Sequence, residues 1–430
     1  MSALKREMWR TLSRTVGAKL YSLAIGVLTL TLTARWLGPD GRGEYAAALA
    51  WVTTFVGVAH CSLAEVASQR LSGLAHETRF RCVAMALVCA CLALSGLAWL
   101  VAICLWLLRP QLFGQLPPGL LILAFIYLPW MIWEVYGAAL LIMSERIVLA
   151  NISLVLGRTV SITCVLLAVG VGHLGVEGVL LAGLAGQMLV SSGAIWLVWQ
   201  RCARQMPSWA EIRAEFKPLL SGSARLHLNA LGAMLLSSTS VLVINARLGP
   251  AATGQFQLAQ QLVGVLLVAA QAATQLLYGR LGAVGVDGAW EIQRWMIFRV
   301  VGLTMLASVL AALLAPWWLV WVAGPGFDDA ITWFRMLAPC LIATSFATLM
   351  APQWIGRGLF LTVSLSAISI GCLHLGAAWF WVPEQGVRGA IHAQWLAMAI
   401  SLCINLVMYV YCERIWRRNA RVAEHEPHTG

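Results

Sequence analysis

The stretch Ala34-Arg35-Trp36-Leu37-Gly38-Pro39-Asp40-Gly41-Arg42-Gly43-Glu44-Tyr45 returns in altered form as Ala246-Arg247-Leu248-Gly249-Pro250-Ala251-Ala252-Thr253-Gly254-Gln255-Phe256. Gly38 and Gly249 are 211 positions apart, and so are Gly43 and Gly254. The same offset relates Arg146 to Arg357, Gly175-Val176 to Gly386-Val387, and Gly178 to Gly389. One spacing held across separated turns marks a tandem duplication, in the way repeat proteins are read from their period. The chain is two copies of a unit of about 210 residues.

Each copy is built for lipid. The 430 residues are 60% hydrophobic and 11% charged, with a mean hydropathy of +0.80, whereas soluble domains carry about 25% charged residues. Apolar stretches long enough to cross a hydrocarbon core of ~30 Å as helices recur along the chain. They fall at 15–37, 44–66, 82–108, 118–141, 149–170, 178–199, 219–247, 255–279, 296–322, 331–351, 359–382 and 390–412, six in each copy. The expected fold is all-α and integral to the membrane, with about twelve transmembrane helices in two six-helix lobes. The expected divisions are 1–199 and 219–412 for the lobes, 200–218 for a linker and 413–430 for a tail. An even number of spans per copy gives both lobes the same orientation, a parallel repeat about an axis along the membrane normal.

Basic residues decide which way the lobes face, because Lys and Arg in short loops stay on the cytoplasmic side. With the N-terminus inside, the cytoplasmic segments hold most of the 29 Lys and Arg, from Lys5, Arg6, Arg10 and Arg14 to Arg414, Arg417, Arg418 and Arg421. The outer edges hold Arg35, Arg42, Arg109, Arg247 and Arg388. Both termini are therefore expected in the cytoplasm, and the net charge of +11 follows from topology and headgroup contact without a nucleic-acid partner. Residues 1–14 look like the charged start of a signal peptide, but no small-residue cleavage site follows, so the first span is expected to stay. The linker around Met206-Pro207 is expected to carry a short interfacial helix near Trp209–Phe216, and the tail after Glu413 to be unstructured. The outer turns are built from Gly and Pro, which close tight helix connections.

Covalent chemistry is not written into this sequence. It has no G-x-x-x-x-G-K-[ST] phosphate loop, no G-x-S-x-G elbow and no H-E-x-x-H helix. The eleven Cys are scattered without a CxxC pair or a His/Cys cluster, so neither a disulfide framework nor a metal site is expected, and no cofactor. Function must lie in binding and movement. Intramembrane polar side chains are costly and become the first candidates. Arg158 lies about 13 Å into its span at 1.5 Å per residue, with Asn151 on the same face. Arg225 and Asn229 form a stripe with Ser221, and Lys19 and Arg299 lie nearer the inner surface. Gln257, Gln260, Gln261 and Gln271 share a face of the eighth span and offer both donors and acceptors to sugar hydroxyls. Tyr127, Trp130 and Glu134 align on the fourth span as a surface on which a sugar ring stacks or a helix anchors. Structural readings stand beside these: Arg158 and Glu134 pairing with each other, Lys19, Arg225 and Arg299 snorkelling to headgroups, and the glutamines bonding between helices. Arg35 and Arg247 abut turns and read as structural, and His60, His227, His374 and His392 as satisfied by neighbours.

The two Leu-Gly-Pro motifs, Gly324-Pro325-Gly326-Phe327-Asp328-Asp329-Ala330 before the tenth span and Gly386-Val387-Arg388-Gly389-Ala390 before the twelfth together resemble the Wzx-type polysaccharide flippases of the multidrug/oligosaccharidyl-lipid/polysaccharide exporter superfamily. That resemblance covers nearly the whole chain. It implies a bacterial inner-membrane protein that moves undecaprenyl-pyrophosphate-linked oligosaccharide between leaflets by alternating access. It implies a cationic cavity between lobes, where Arg158 and Arg225 hold the pyrophosphate, and membrane lipids, a polysaccharide polymerase and chain-length machinery as partners. A multidrug/cation antiporter of the same superfamily is the second reading, disfavoured by the excess of intramembrane Arg over acidic residues. A membrane glycosyltransferase or polymerase is the third, and needs a larger outer loop than any here.

Overall fold

The computed structural model describes residues 2–71, 77–144 and 146–425, with side chains described from Gly17 to Arg418 except Lys19, Ile147, Arg225, Gly282 and Ala283 within those stretches. Helices fill this range, and no strand occurs among the described residues. We number them α1 (2–37), α2 (39–59), α3 (Leu63–Leu71), α4 (Glu77–Leu108), α5 (Pro118–Met143), α6 (Ile147–Val165, ending in a wider turn Leu166–Val171) and α7 (Val176–Cys202). The second copy supplies α8 (Trp209–Leu248), α9 (Pro250–Leu266), α10 (Val268–Gly288), α11 (Trp290–Ala323), α12 (Asp328–Leu337), α13 (Cys340–Gly356), α14 (Phe360–Gln385) and α15 (Val387–His425). Among the described residues, nine stretches are long and apolar enough to span a membrane, and two more are bent pairs, α9 with α10 at 43° and α12 with α13 at 47°. One of the nine runs through the break at Gly38 and is two spans. Twelve spans in two sets of six result.

Two local expectations differ from the structure. The helix that begins at Trp209 does not stop at Phe216 but continues through Pro218 into the span, as α8. Ser208 starts it with a reciprocal cap, its hydroxyl accepting from the Glu211 N–H while the Glu211 carboxylate accepts from Ser208. Those bonds hold the exposed Glu211 carboxyl below the ordinary carboxylate range. The chain beyond Glu413 is helical as far as His425, because Arg417 lies one turn on and bonds back to Glu413 at 2.8 Å; residues 426–430 fall outside the described range.

The duplicated motif folds as the sequence demands. Gly38 has φ +64° and ψ −176°, and Gly249 has φ +88° and ψ −178°. That region of backbone space is open essentially to glycine alone. The following prolines, Pro39 and Pro250, hold the preceding ψ extended and start α2 and α9, where a missing N–H costs nothing.

The two motifs also meet. A Cβ on Gly43 would lie 1.8 Å from the Pro250 carbonyl oxygen, and one on Gly254 would lie 2.1 Å from that of Pro39. Each motif thus lays its last glycine on the other's proline, in a reciprocal cross about the pseudo-twofold axis. Beneath the cross, Leu30, Ala34, Ala46 and Ala50 of the first lobe share one core with Val241, Ile244, Phe256, Ala259 and Leu262 of the second. Arg35 donates to the Trp321 carbonyl from the other lobe, and Asn245 of α8 donates to the Phe113 carbonyl at 3.1 Å.

Toward the termini the arrangement changes. There the second lobe has a core of its own, built from Ala273, Leu277, Trp290, Ile297, Phe346 and Met408, with no residue from the first. The two lobes stay joined along α2 and α8: His60 and His227 meet edge-to-face at 5.4 Å, and Ser223 donates to the Cys61 carbonyl. On α1 and α10 the pattern is exposure instead. Leu20, Tyr21, Gln271 and Gln275 are all exposed. The ion pairs among described residues cluster on this terminal face, with Arg70 to Glu215 at 2.7 Å, Arg294 to Glu413 at 3.0 Å and Arg357 to Asp287 at 2.6 Å.

Candidate functional site

The crossed motifs join the lobes, and the α1–α2 stretch of the first copy packs on α8 and α9 of the second. Gln257 and Gln261 sit one turn apart on α9, as their spacing requires, and both accept from Arg42 of α2, at 3.2 and 2.5 Å. The glutamine face therefore serves in part as an inter-lobe contact. Below that contact the same face is open: Gln261, Gly264, Gln271 and Gln275 are exposed, while Gln260 is half-buried.

Arg158 is exposed, forms no hydrogen bond or ion pair with a described residue, and lies within electrostatic reach of Tyr45 on α2. It does not pair with Glu134. That carboxylate accepts from Gln187 of α7 at 2.6 Å. Tyr127 donates to the Leu180 carbonyl, and Ser191 donates to that of Trp130 at 3.1 Å. The polar face of α5 is accordingly a packing seam against α7 and offers no free surface to a sugar. Asn151 of α6 is half-buried and Asn229 of α8 exposed. Arg299 stacks on Trp295, one turn back, at 3.8 Å from the ring centre. It lies beside the exposed Phe298 and Leu303, apart from the other candidates. Lys19 and Arg225 are placed on α1 and α8, and their side chains fall outside those described.

Three of the four candidate histidines hydrogen-bond a neighbour, whereas His227 packs edge-to-face on His60 and its buried Nδ1 has no hydrogen-bond partner among the described residues. His60 Nδ1 accepts from the Ser62 N–H at 2.9 Å, His374 bonds Ser240 at 3.1 Å, and His392 bonds Gln385 at 2.7 Å. Among the described residues, no group of three or more His, Cys, Asp or Glu could hold a metal ion.

Arg42 is the residue that sequence reasoning missed. Placed at an outer edge by hydropathy, it is only 2% exposed and is the one buried Lys, Arg, Asp or Glu among the described residues. Nη1 donates to Thr33 of its own lobe at 2.8 Å, Nη2 to both glutamines of the other lobe, and the guanidinium lies 5.3 Å from the Tyr45 ring. Nε–H has no partner. A buried cation ordinarily pairs with a carboxylate, yet this one is held by neutral oxygens. The signal in the sequence was asymmetry: at an offset of 211, Arg42 corresponds to Thr253, and Gln257 and Gln261 correspond to Ala46 and Ala50.

Known proteins can be set beside this geometry. A search of curated proteins found no match. Among solved structures, the lipid II flippase MurJ in an inward closed conformation superposes with a TM-score of 0.71 at 11% identity, over 92% of this chain and 87% of that one. The inward-facing conformation of a MATE multidrug resistance transporter of the MOP superfamily gives 0.66 at 18% identity, over 92% and 96%. A Vibrio cholerae MATE transporter gives 0.58 at 16% identity, over 96% and 98%. Those proteins share the fold of twelve or more spans in two lobes. Residues 8–278 match the family described as polysaccharide biosynthesis protein. The fold is the one found in those transporter and flippase structures. The chain belongs to the polysaccharide biosynthesis protein family and shares its fold with those structures.

Proposed function

We propose that this protein is an inner-membrane flippase that moves undecaprenyl-pyrophosphate-linked oligosaccharide outward, with both termini in the cytoplasm and the crossed motifs at the outer surface. The lobes of residues 1–199 and 219–412, joined by 200–218, rock against each other around a cleft open toward the cytoplasm. One observation carries this reading: the lobes share a core beneath the motifs, while toward the termini the second lobe has a core with no residue from the first, and the exposed Arg158 forms no hydrogen bond or ion pair with a described residue. A cation without a protein partner at that depth suits an anionic headgroup, which it binds by charge-assisted hydrogen bonds. The exposed amides of Gln261, Gln271 and Asn229 suit sugar hydroxyls, and the polyprenyl chain stays in the bilayer beside the gap along α1 and α10. A multidrug/cation antiporter wants an acid free in the cleft, and Glu134 is instead engaged by Gln187.

Arg158→Ala and Arg225→Ala are expected to abolish surface polysaccharide in a flippase-null strain complemented at native expression, while both variants remain inserted. Normal polysaccharide from both overturns the cationic cleft. The lipid-linked sugar that accumulates in the null strain names the glycan. The polymerase and chain-length machinery that use such a product are its natural partners.

A further inference from the structure

We propose that Arg42 is an anion-released latch on the outer gate, an inference that rests on the flippase reading for the identity of the anion but not for the latch itself. The chemistry lies in how one guanidinium is shared. Nη1 is bound within the first lobe to Thr33, whereas both bonds that reach the second lobe leave from Nη2. Nε–H, on the same edge of the planar group as Nη2, is empty. A phosphate oxyanion binds Arg through two parallel N–H donors, and the edge formed by Nε and Nη2 is the one that Arg42 has available. An anion docking there fills the empty donor and competes with the glutamines for the Nη2–H on that edge, so the contact between the lobes is weakened. Charge-assisted bonds are about twice as strong as neutral ones, so the exchange runs toward the anion. It leaves the bond to Thr33 intact.

Arg42 is only 2% exposed, and the proposed approach to that edge is past Tyr45. Arg158 is exposed and unpaired, Tyr45 lies within its field, and the Arg42 guanidinium sits 5.3 Å from the Tyr45 ring. A phosphate drawn into the cleft by Arg158 thus approaches Arg42 from beneath. The asymmetry fits a device added to an older scaffold. The glycine cross is reciprocal between the copies, but the arginine and its glutamines exist on one side only, facing Thr253, Ala46 and Ala50 at the equivalent positions. The latch joins the lobes where the cross joins them, so release by an anion couples loading of the cleft to opening of its roof. An empty cleft stays shut on the outside.

The test uses Thr253→Cys, buried within the cross, as a reporter for a membrane-impermeant maleimide in proteoliposomes, measured against the chain without it. The parent reporter is expected to label slowly, and about tenfold faster once undecaprenyl diphosphate is incorporated, in keeping with the loss of bonds from a charged donor. Gln257→Ala with Gln261→Ala should label fast without any diphosphate. Arg42→Gln, which removes the charge and the Nε/Nη2 edge, should label at the same rate with and without the diphosphate, and it covers the case in which the double variant does not fold. Slow labelling of a folded double variant overturns the latch. A diphosphate response retained by Arg42→Gln overturns the anion trigger, as does a parent that responds to neither undecaprenyl diphosphate nor phosphatidic acid. A parent that opens with phosphatidic acid alone upholds the latch and removes the proposed substrate instead.

Discussion

At the scale of single residues, glycines decide whether the outer gate closes. Gly43 and Gly254 allow backbone to lie on backbone, and a methyl group at either meets a carbonyl oxygen that has nowhere to move. Gly43→Ala is expected to destabilise the closed state by about 1–3 kcal/mol, the ordinary penalty of overpacking. It should raise labelling from the outer side without preventing insertion. Gly26 supplies the contrast, since a Cβ there meets nothing within 4 Å. Gly26→Ala should be neutral or stabilising by up to about 1 kcal/mol, since alanine is the better helix former. Equal thermal melts for the two variants, in detergent, would contradict the crossing of the motifs.

At the scale of helices, the seam between α5 and α7 shows how a polar stripe is used up by packing. Glu134 is bonded by Gln187, and Tyr127 and Trp130 are bonded to the same partner helix. Glu134→Gln keeps an acceptor there, so stability and export should both survive. Glu134→Leu strips Gln187 of its partner and should cost about 1–3 kcal/mol, the price of a buried unsatisfied polar group, read as a lower melting temperature. Loss of export by a fully stable Glu134→Gln would instead make Glu134 an ion-coupling site. In the other lobe, α8 and α14 are held closer still: a Cβ on Gly232 would lie 2.3 Å from the Ala367 carbonyl carbon, and one on Gly371 would lie 2.9 Å from the Gly232 oxygen. At the equivalent positions of the first lobe, α1 and α6 meet through the hydroxyls of Tyr21 and Thr159 at 2.8 Å. A side-chain bond tolerates sliding that a backbone contact does not, so α1 is the more loosely held of the two related helices.

For the whole molecule, rocking about the cleft requires the outer contacts to separate. A Cβ on Gly324 would sit 3.9 Å from that of Arg35 across the lobe interface, within the ~3.5–4.5 Å span of a disulfide. Arg35→Cys with Gly324→Cys is expected to stop export when oxidised and to restore it on reduction, with the chain's eleven cysteines, all free, as background. The φ of +83° at Gly324 strains any side chain there by roughly 1–3 kcal/mol, so the reduced double variant is the reference. Export unaffected by a complete cross-link would exclude alternating access. Reporter fusions in 38–43 and in 200–217 should report outside and inside; the reverse would invert the direction of transport.

Hydropathy, the 211-residue offset and the Gly-Pro turns were enough to define the spans, the duplication and the two-lobed plan, because each is a local property. Burial in lipid needs about 20 apolar residues in a row, and a left-handed turn needs glycine at one position. Sequence period also placed Gln257 and Gln261 on one face. It left their partners undecided, since a partner is chosen by packing between segments more than 200 residues apart. Arg42 looked like an edge residue because its depth was measured along its own helix, whereas its burial comes from the opposite lobe closing over it. Glu134 was set against Arg158 on the neighbouring span, and the fold gave it Gln187 instead. The sequence determined what this chain is built from and which segments are apolar enough to span a membrane; the tertiary structure alone decided which charges are paired, which are left without a described partner, and that the repeated motifs lock against each other.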